Sequence, residues 1–355
     1  MTQRIAFITG TRAEYGILLS VLDAAQAHPA IDPRLVVTGT HLTTSSVKDI
    51  THRIHARVRM QRKEATGYDA DVQALSRGVE GFGRVFAALE PAAVVVLGDR
   101  VEMLAAATAA SVGGRVLVHL HGGDRAEGVA DEAMRHAISK LAHLHFPATA
   151  QSKRRLIRMG ENPALIHNVG SPAIDALKHV APDPDAPALL IMQHPIGASD
   201  EAERGWMDAT LRATAKHERT VFAPNHDPGA PGIRKAIADH GIEPVEHLPR
   251  ERFLSLLAGA RVILGNSSAG LIEAAALRTA GVNIGPRQGG RESPSSVVSC
   301  GYGVGRVRDA LKQALQLDTS KLRHPYGKGD AGPRIIERLA ATDLAQVSRR
   351  KRNTY

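Results

Sequence analysis

At 355 residues, with 43% hydrophobic and 23% charged residues, the chain has the composition of a folded globular protein and the length of two domains. A formal net charge of +9 raises nucleic acid as a partner, but aromatics at 3% are too scarce for stacking platforms, and Arg349, Arg350, Lys351 and Arg352 read as a solvated or frayed tail. The single cysteine, Cys300, excludes a disulfide framework and a multi-thiolate metal site.

Taken in order, residues 5–8 read as a buried strand, followed by a polar turn and a helix through Ile17, Leu18, Val21 and Leu22. Residues 34–38 form a second strand. From 48 to about 89 the pattern is weakly helical, interrupted by Gly67, Gly78, Gly81 and Gly83. A strongly apolar strand at 92–97 ends at Gly98, Asp99 and Arg100, and a helix follows over 102–111. The strand at 115–119 opens into His121, Gly122, Gly123 and Asp124, ahead of a helix from 131 to about 143 and a strand at 144–148.

Residues 170–187 carry four prolines and read as a connection between domains. A second alternating set follows: a strand at 189–192, a helix near 202–217, a strand at 220–223, a helix over 232–240, and strands at 261–264 and 282–284. The expected organisation is a first Rossmann-like domain over 1–170, a linker over 171–187, a second such domain over 188–334, and a terminal helix and basic tail over 335–355. That tail segment is able to cap either domain. Nearly all-apolar strands alternating with helices indicate two doubly wound α/β domains, each with a parallel sheet covered on both faces. Such sheets bind ligands beyond the carboxyl ends of their strands, and the polar clusters after Thr9, Leu97 and His119 all fall there.

The stretch GNSSAGLIE at 265–273 follows the apolar strand and precedes the helical spacing of Leu271, Ile272, Ala275 and Ala276. A strand turning directly into a helix exposes backbone N–H donors and the positive end of the helix dipole, a site suited to phosphate. Ser267 and Ser268 add hydroxyls, Gly270 permits close approach, and Glu273 reaches toward a sugar hydroxyl. An ordinary capped helix has the same pattern. Arg12, Asp99, Asp124, Glu127, Asp131 and Glu132 put several carboxylates around an anionic pocket, an arrangement that suits proton abstraction and delivery. His194 and Asn225 follow strands of the second domain. His119 and His121 point to one face of a strand, but no H-E-x-x-H accompanies them and no metal is expected. A tight turn at Gly10 stands where a dinucleotide fingerprint would be, and no nucleophile elbow occurs.

The segments TGTRAEYG (9–16), VTGTH (37–41), LGDRVE (97–102), HLHGG (119–123), DEAMRHAISK (131–140), NVGS (168–171), GNSSAGLIE (265–273) and NIGPRQGGR (283–291) together resemble the hydrolysing UDP-N-acetylglucosamine 2-epimerases of sialic and legionaminic acid synthesis. The resemblance runs over almost the whole chain. It implies a glycosyltransferase-B-like fold with the nucleotide sugar between the domains, no cofactor, and a homodimer. It further implies that Ser267, Ser268 and Gly270 hold the diphosphate, Glu273 the ribose, and that Arg12 and His194 lie near the phosphates. Arg287, Gln288 and Arg291 belong to the cleft wall, and Gly10, Lys140, Asn225 and Asn266 to the substrate site. Asp99, Asp124 and Asp131 serve the chemistry. The implied reaction removes the C2 proton as the nucleotide diphosphate leaves C1. The resulting 2-acetamidoglucal is then hydrated to free N-acetylmannosamine.

Two features depart from the family pattern: Asp124 stands where glutamate is usual, and the loop at 41–46 lacks the usual aromatic and glycine pattern. A bacillosamine-type 2,4-diacetamido-2,4,6-trideoxy sugar nucleotide or a different base is therefore an alternative substrate. A non-hydrolysing 2-epimerase, a glycosyltransferase of the same architecture and a catalytically silent sugar-nucleotide sensor are alternative functions. The N-terminus lacks a signal-peptide pattern and no apolar run approaches the roughly 20 residues of a bilayer span. A cytoplasmic enzyme with a UDP-sugar substrate, and with neither nucleic acid nor membrane as partner, is expected.

Overall fold

A computed structural model of the chain describes residues 2–63, 67–125, 131–225, 227–246 and 248–354, with the side chains of Ser45 and Asp131 outside that description. Glu127, a candidate acid, lies outside the described residues, as does the side chain of Asp131. The chain forms two compact units. The first runs over Met1–Asp124, resumes at Ala130–Asp175 and closes with Gly327–Tyr355, and the second is built on Ala176–Tyr326.

In the first unit β1 (Gln3–Thr9), α1 (Arg12–Ala27), β2 (Ile31–Val37), α2 (Thr40–Thr43), β3 (Ile54–Arg57), α3 (Tyr68–Leu89), β4 (Ala93–Leu97), α4 (Val101–Val112), β5 (Val116–Leu120), α5 (Asp131–Leu141), β6 (Leu144–Phe146) and α6 (Ala150–Arg158) follow in order. The strands make one parallel sheet ordered β3-β2-β1-β4-β5-β6. Because successive side chains alternate faces, Ile5, Phe7, Val95 and Val118 pack on one side with α1, while Ala6, Ile8, Val94, Val96 and Leu117 pack on the other with α3 and α4. That two-sided burial is why these strands are apolar at every position.

The second unit contains β7 (Leu189–Met192), α7 (Asp200–Ala213), β8 (Arg219–Val221), α8 (Ala230–Asp239), α9 (Arg250–Gly259), β9 (Val262–Gly265), α10 (Glu273–Ala276), β10 (Ala280–Ile284), β11 (Val297–Cys300) and α11 (Val304–Leu315). Its parallel sheet is ordered β11-β10-β9-β7-β8. The strands β3 and β11 and the helices α9 and α11 were not foreseen from the sequence. Both are four-residue edge strands with no fully buried residue, too short and too solvated for the continuous apolar run that marks the inner strands.

The terminal helix α12 (Ala331–Ala341) joins the first unit, where Ile335, Ile336 and Leu339 share a core with Leu18 and Leu22 of α1. Gly332 lets the two helices approach, since a Cβ there would lie 2.6 Å from the Ser20 carbonyl oxygen. Asp175 accepts hydrogen bonds from the backbone N–H groups of Ala331 (2.9 Å) and Gly332 (2.6 Å), capping the helix start. Of the basic tail expected to be solvated or frayed, Arg349, Arg350 and Arg352 are exposed, but Lys351 is docked. The Lys351 Nζ donates to the carbonyls of Ser139 (2.9 Å) and Lys140 (2.7 Å) and pairs with Glu161 at 2.5 Å. Among the described residues no helix is long and apolar enough to cross a membrane.

Candidate active site

Each sheet has one place where the chain switches from building leftward to building rightward, and there two adjacent strands send their following loops apart. In the second unit this place lies between β7 and β9. Gly265 ends β9 at φ 131°, and a Cβ there would collide with the Met192 carbonyl oxygen, so only glycine fits. Asn266 follows it. Its Oδ1 accepts the His194 backbone N–H at 2.7 Å and its Nδ2 donates to the His194 carbonyl at 2.7 Å, extending the sheet by one side-chain rung.

The Asn266 carbonyl in turn accepts from Gln288 Nε2 (2.8 Å) and Arg287 Nη1 (3.2 Å), and Arg291 Nη1 donates to Gln288 Oε1 at 2.8 Å. The Asn225 backbone N–H donates to His194 Nδ1 at 3.2 Å. Burial, and then the Arg287 charge, push the His194 imidazole down to about 3. With Nδ1 accepting, the neutral ring carries its proton on Nε2. His194, Asn225, Asn266, Arg287, Gln288 and Arg291 therefore form one connected frame.

The stretch expected to bind phosphate differs from expectation in one respect. No long helix begins there. Ser268–Gly270 is a single 3-10 turn, with the Ser267 hydroxyl accepting from the Ala269 N–H at 3.4 Å, and α10 lasts four residues before Arg278 reverses the chain at φ 63°. A macrodipole needs several aligned turns, so any anion there would meet local N–H and hydroxyl groups and not the end of a long helix. Glu273 is buried beside Arg250, whose Nη1 lies 3.6 Å from Oε1.

In the first unit the switch lies between β1 and β4. Thr11 caps α1 in a reciprocal box. Its hydroxyl accepts the Glu14 N–H (3.2 Å), while Glu14 Oε2 accepts the N–H groups of Gly10 (2.7 Å) and Thr11 (3.0 Å). Glu102 closes over the same turn, for a Cβ at Gly10 would sit 3.0 Å from Glu102 Cγ and 3.3 Å from Glu14 Oε2. Burial, and then the Glu102 charge, push Glu14 up to about 7. Arg12 points from the first turn of α1 to Asp49, at 2.7 Å.

Past β4 and β5, Asp99 and Asp124 converge on one guanidinium. Arg135 of α5 pairs with the Asp99 carboxylate and donates to the Asp124 carbonyl at 3.3 Å. The Asp124 side chain is only 2% exposed and accepts from Ser152 Oγ at 3.4 Å. Arg135 was missed in the sequence because an arginine on an amphipathic helix ordinarily faces water. Asp131 opens the same helix.

His119 and His121 do not share a ligand position. His119 Nδ1 lies 3.0 Å from Ser139 Oγ and its Nε2 lies 2.8 Å from the Gly98 carbonyl, and burial pushes the ring down to about 3. His121 leaves the strand at φ 62° and meets Ser171 Oγ at 3.0 Å. Among the described residues no group of three or more His, Cys, Asp or Glu is placed to hold a metal ion. Lys140 stands apart from the acids, its Nζ directed to Glu161 (2.8 Å), the Met159 carbonyl (2.9 Å) and Asn353 (2.5 Å).

Three comparisons bear on this arrangement. The profile of the family described as UDP-N-acetylglucosamine 2-epimerase matches residues 23–340. The chain is 34% identical over 379 residues to a UDP-N,N'-diacetylbacillosamine 2-epimerase (hydrolyzing) of Legionella pneumophila, covering all of both chains. It is 28% identical over 372 residues to a UDP-N-acetylglucosamine 2-epimerase of Neisseria meningitidis serogroup B, covering 99% of this chain and 98% of that one. Its fold is similar to the crystal structure of a UDP-GlcNAc 2-epimerase from Neisseria meningitidis bound to UDP-GlcNAc, with TM-score 0.80 at 18% identity, over 96% of this chain and 100% of that chain.

Proposed function

The chain belongs to the UDP-N-acetylglucosamine 2-epimerase family, and from that premise we propose that it is a hydrolysing 2-epimerase of a UDP-linked 2-acetamido sugar, releasing UDP and the free C2-inverted sugar. The observation that carries the reading is the convergence of Asp99 and Asp124 on Arg135, where β4 and β5 end. The Asp99 carboxylate is held by the buried cation itself, and Asp124 is anchored beside it through its main-chain carbonyl, its own carboxylate accepting from Ser152. A carboxylate held in this way is oriented for proton transfer while remaining a hydrogen-bond acceptor.

In the first step a carboxylate among Asp99, Asp124 and Asp131 takes the C2 proton as the C1–oxygen bond breaks. The electron pair of the C2–H bond becomes the C1–C2 double bond, and UDP leaves with the pair of the broken C1–O bond. In the second step water adds its hydroxyl to C1 and a carboxylic acid returns a proton to C2 on the opposite face. Arg12, Arg287, Arg291 and neutral His194, donating through Nε2–H, stabilise the negative charge that grows on the leaving diphosphate. The hydroxyls of Ser267 and Ser268 and the turn at Gly270 bind the same group, and Glu273 takes the ribose. A neutral histidine suits this task, because it donates a hydrogen bond without adding a charge that must be desolvated.

UDP-N-acetylglucosamine is the first substrate of this reading. UDP-N,N'-diacetylbacillosamine is the second, favoured by the similarity to the Legionella UDP-N,N'-diacetylbacillosamine 2-epimerase. Incubating the protein with each and separating the products tests both. Free UDP with N-acetylmannosamine, or with its diacetamido counterpart, supports the reading and selects the sugar. Return of an intact C2-epimerised nucleotide sugar, or transfer only when an acceptor is supplied, contradicts it.

A further inference from the structure

Outside the candidate site, the first unit buries a second carboxylate with several cationic partners, Glu161. Its carboxylate is 1% exposed and takes Lys140 at 2.8 Å, His145 Nε2 at 3.0 Å and Lys351 at 2.5 Å. A buried carboxylate is retained only where its lone pairs are met, and here one of the three donors comes from a distant part of the chain. Two more tail residues dock beside it. The Thr354 N–H donates to the Gly160 carbonyl at 2.9 Å, and Asn353 Oδ1 accepts from Lys140 at 2.5 Å.

Lys351 does a second thing. The same Nζ donates to the carbonyls of Ser139 and Lys140 in the last turn of α5, where helix carbonyls run short of N–H donors. The Ser139 carbonyl has in addition only the Ala142 N–H, which it shares with Ile138, at 3.2 Å. A cation there also opposes the negative end of the helix dipole. The helix it caps reaches the candidate site by two routes. Arg135 pairs with Asp99, and Ser139 Oγ meets His119, whose other nitrogen meets the carbonyl of Gly98, the residue before Asp99. Ser139 thus touches Lys351 through its carbonyl and His119 through its hydroxyl.

We propose that Lys351 is a positioning residue of the reaction: by clamping the carboxyl end of α5 onto Glu161, it fixes Arg135 and Ser139 against the Gly98–Asp99 turn without touching substrate. The clamp stands on these contacts alone, and its catalytic consequence rests on the epimerase reading above.

The test compares Lys351→Met and Lys351→Arg with the parent chain by hydrogen exchange of the α5 amides and by steady-state kinetics. Lys351→Met is expected to raise exchange across residues 132–141 and to lower kcat about tenfold with KM and UDP affinity unchanged, because a small misplacement of reacting groups costs rate before it costs binding. Lys351→Arg, which keeps the charge and the donors, restores most of both. Unchanged α5 exchange in Lys351→Met overturns the proposal, and so does faster exchange with parental kcat. If the parent chain turns over neither sugar, the functional reading fails while α5 exchange still decides the clamp. Should Lys351→Met not fold, Lys351→Gln, which keeps one donor, is scored by the same outcomes.

Discussion

The carboxamide of Asn266 holds both main-chain groups of His194, each at 2.7 Å, so a side chain does the work of a β-ladder rung beyond the end of β7 and β9. This rung sets the imidazole's direction, and the Asn266 carbonyl carries Arg287 and Gln288 on its other side. Asn266→Ala leaves a buried N–H and carbonyl at His194 without partners, at a cost of about 1–3 kcal/mol each when unsatisfied. The expected outcome is a lower melting temperature and UDP affinity weakened at least about tenfold by calorimetric titration. Parental affinity in a folded Asn266→Ala protein would show that the rung does not serve the nucleotide.

Asp99 pairs with a buried arginine, so its removal has two consequences. Asp99→Asn is expected to lower turnover at least about a hundredfold while leaving UDP affinity within about twofold, since Asp99 is not among the groups assigned to the nucleotide. It is also expected to lower stability by about 3 kcal/mol, because the ion pair between Asp99 and the buried Arg135 is broken. Asp131→Asn is expected to match the kinetic effect. Lost UDP affinity in both variants would remove these acids from the chemistry.

Glu273 is the converse case. Buried beside Arg250, it is assigned to the ribose, so Glu273→Ala is expected to weaken UDP binding about tenfold, by roughly 1.4 kcal/mol. Titration with UDP and with uracil alone separates the ribose contact from a general loss of structure, because only the first should change.

Two buried carboxyls shape the pH dependence of stability in opposite senses. Glu14 is raised from 4.5 to about 7 by burial and by Glu102, so the folded chain keeps a proton that the unfolded chain has released. Its contribution is whole below pH 4.5 and is lost as pH rises to about 7. Glu14→Gln, which mimics the protonated form, is expected to flatten melting temperature over that window.

Glu161 is the opposite case. Burial opposes its charge, but the bonds from His145, Lys140 and Lys351 prevail and hold it down at about 2. Its contribution, on the order of 3 kcal/mol, is present above pH 4.5 and is lost as pH falls toward 2. Glu161→Gln is expected to remove this acid limb. Urea titrations across pH 2–8 measure both windows.

Much of this was legible in the chain because the fold buries both faces of each sheet. Strands such as 93–97 are apolar throughout, and their abrupt polar ends at Gly98–Asp99 and Gly265–Asn266 marked the sheet edge that carries the candidate site. What escaped the reading depends on contacts between distant residues. Arg135 looks like a solvated helix residue until Asp99 is brought to it, and Lys351 looks like part of a loose basic run until Glu161 is seen to lack its third donor. The helical spacing after Ser268 was genuine but brief. Glu273, Ala274 and Ala275 are buried, and the chain turns at Arg278 to enter β10 after a single α-helical turn.

The central claim is that a carboxylate strips the C2 hydrogen while the nucleotide departs, with solvent returning a proton to the other face. Proton NMR of the sugar released from UDP-N-acetylglucosamine, or from its diacetamido analogue, in deuterated water tests it most directly. The account predicts free, C2-inverted product with one deuteron at C2. Product that keeps its original C2 hydrogen would contradict it.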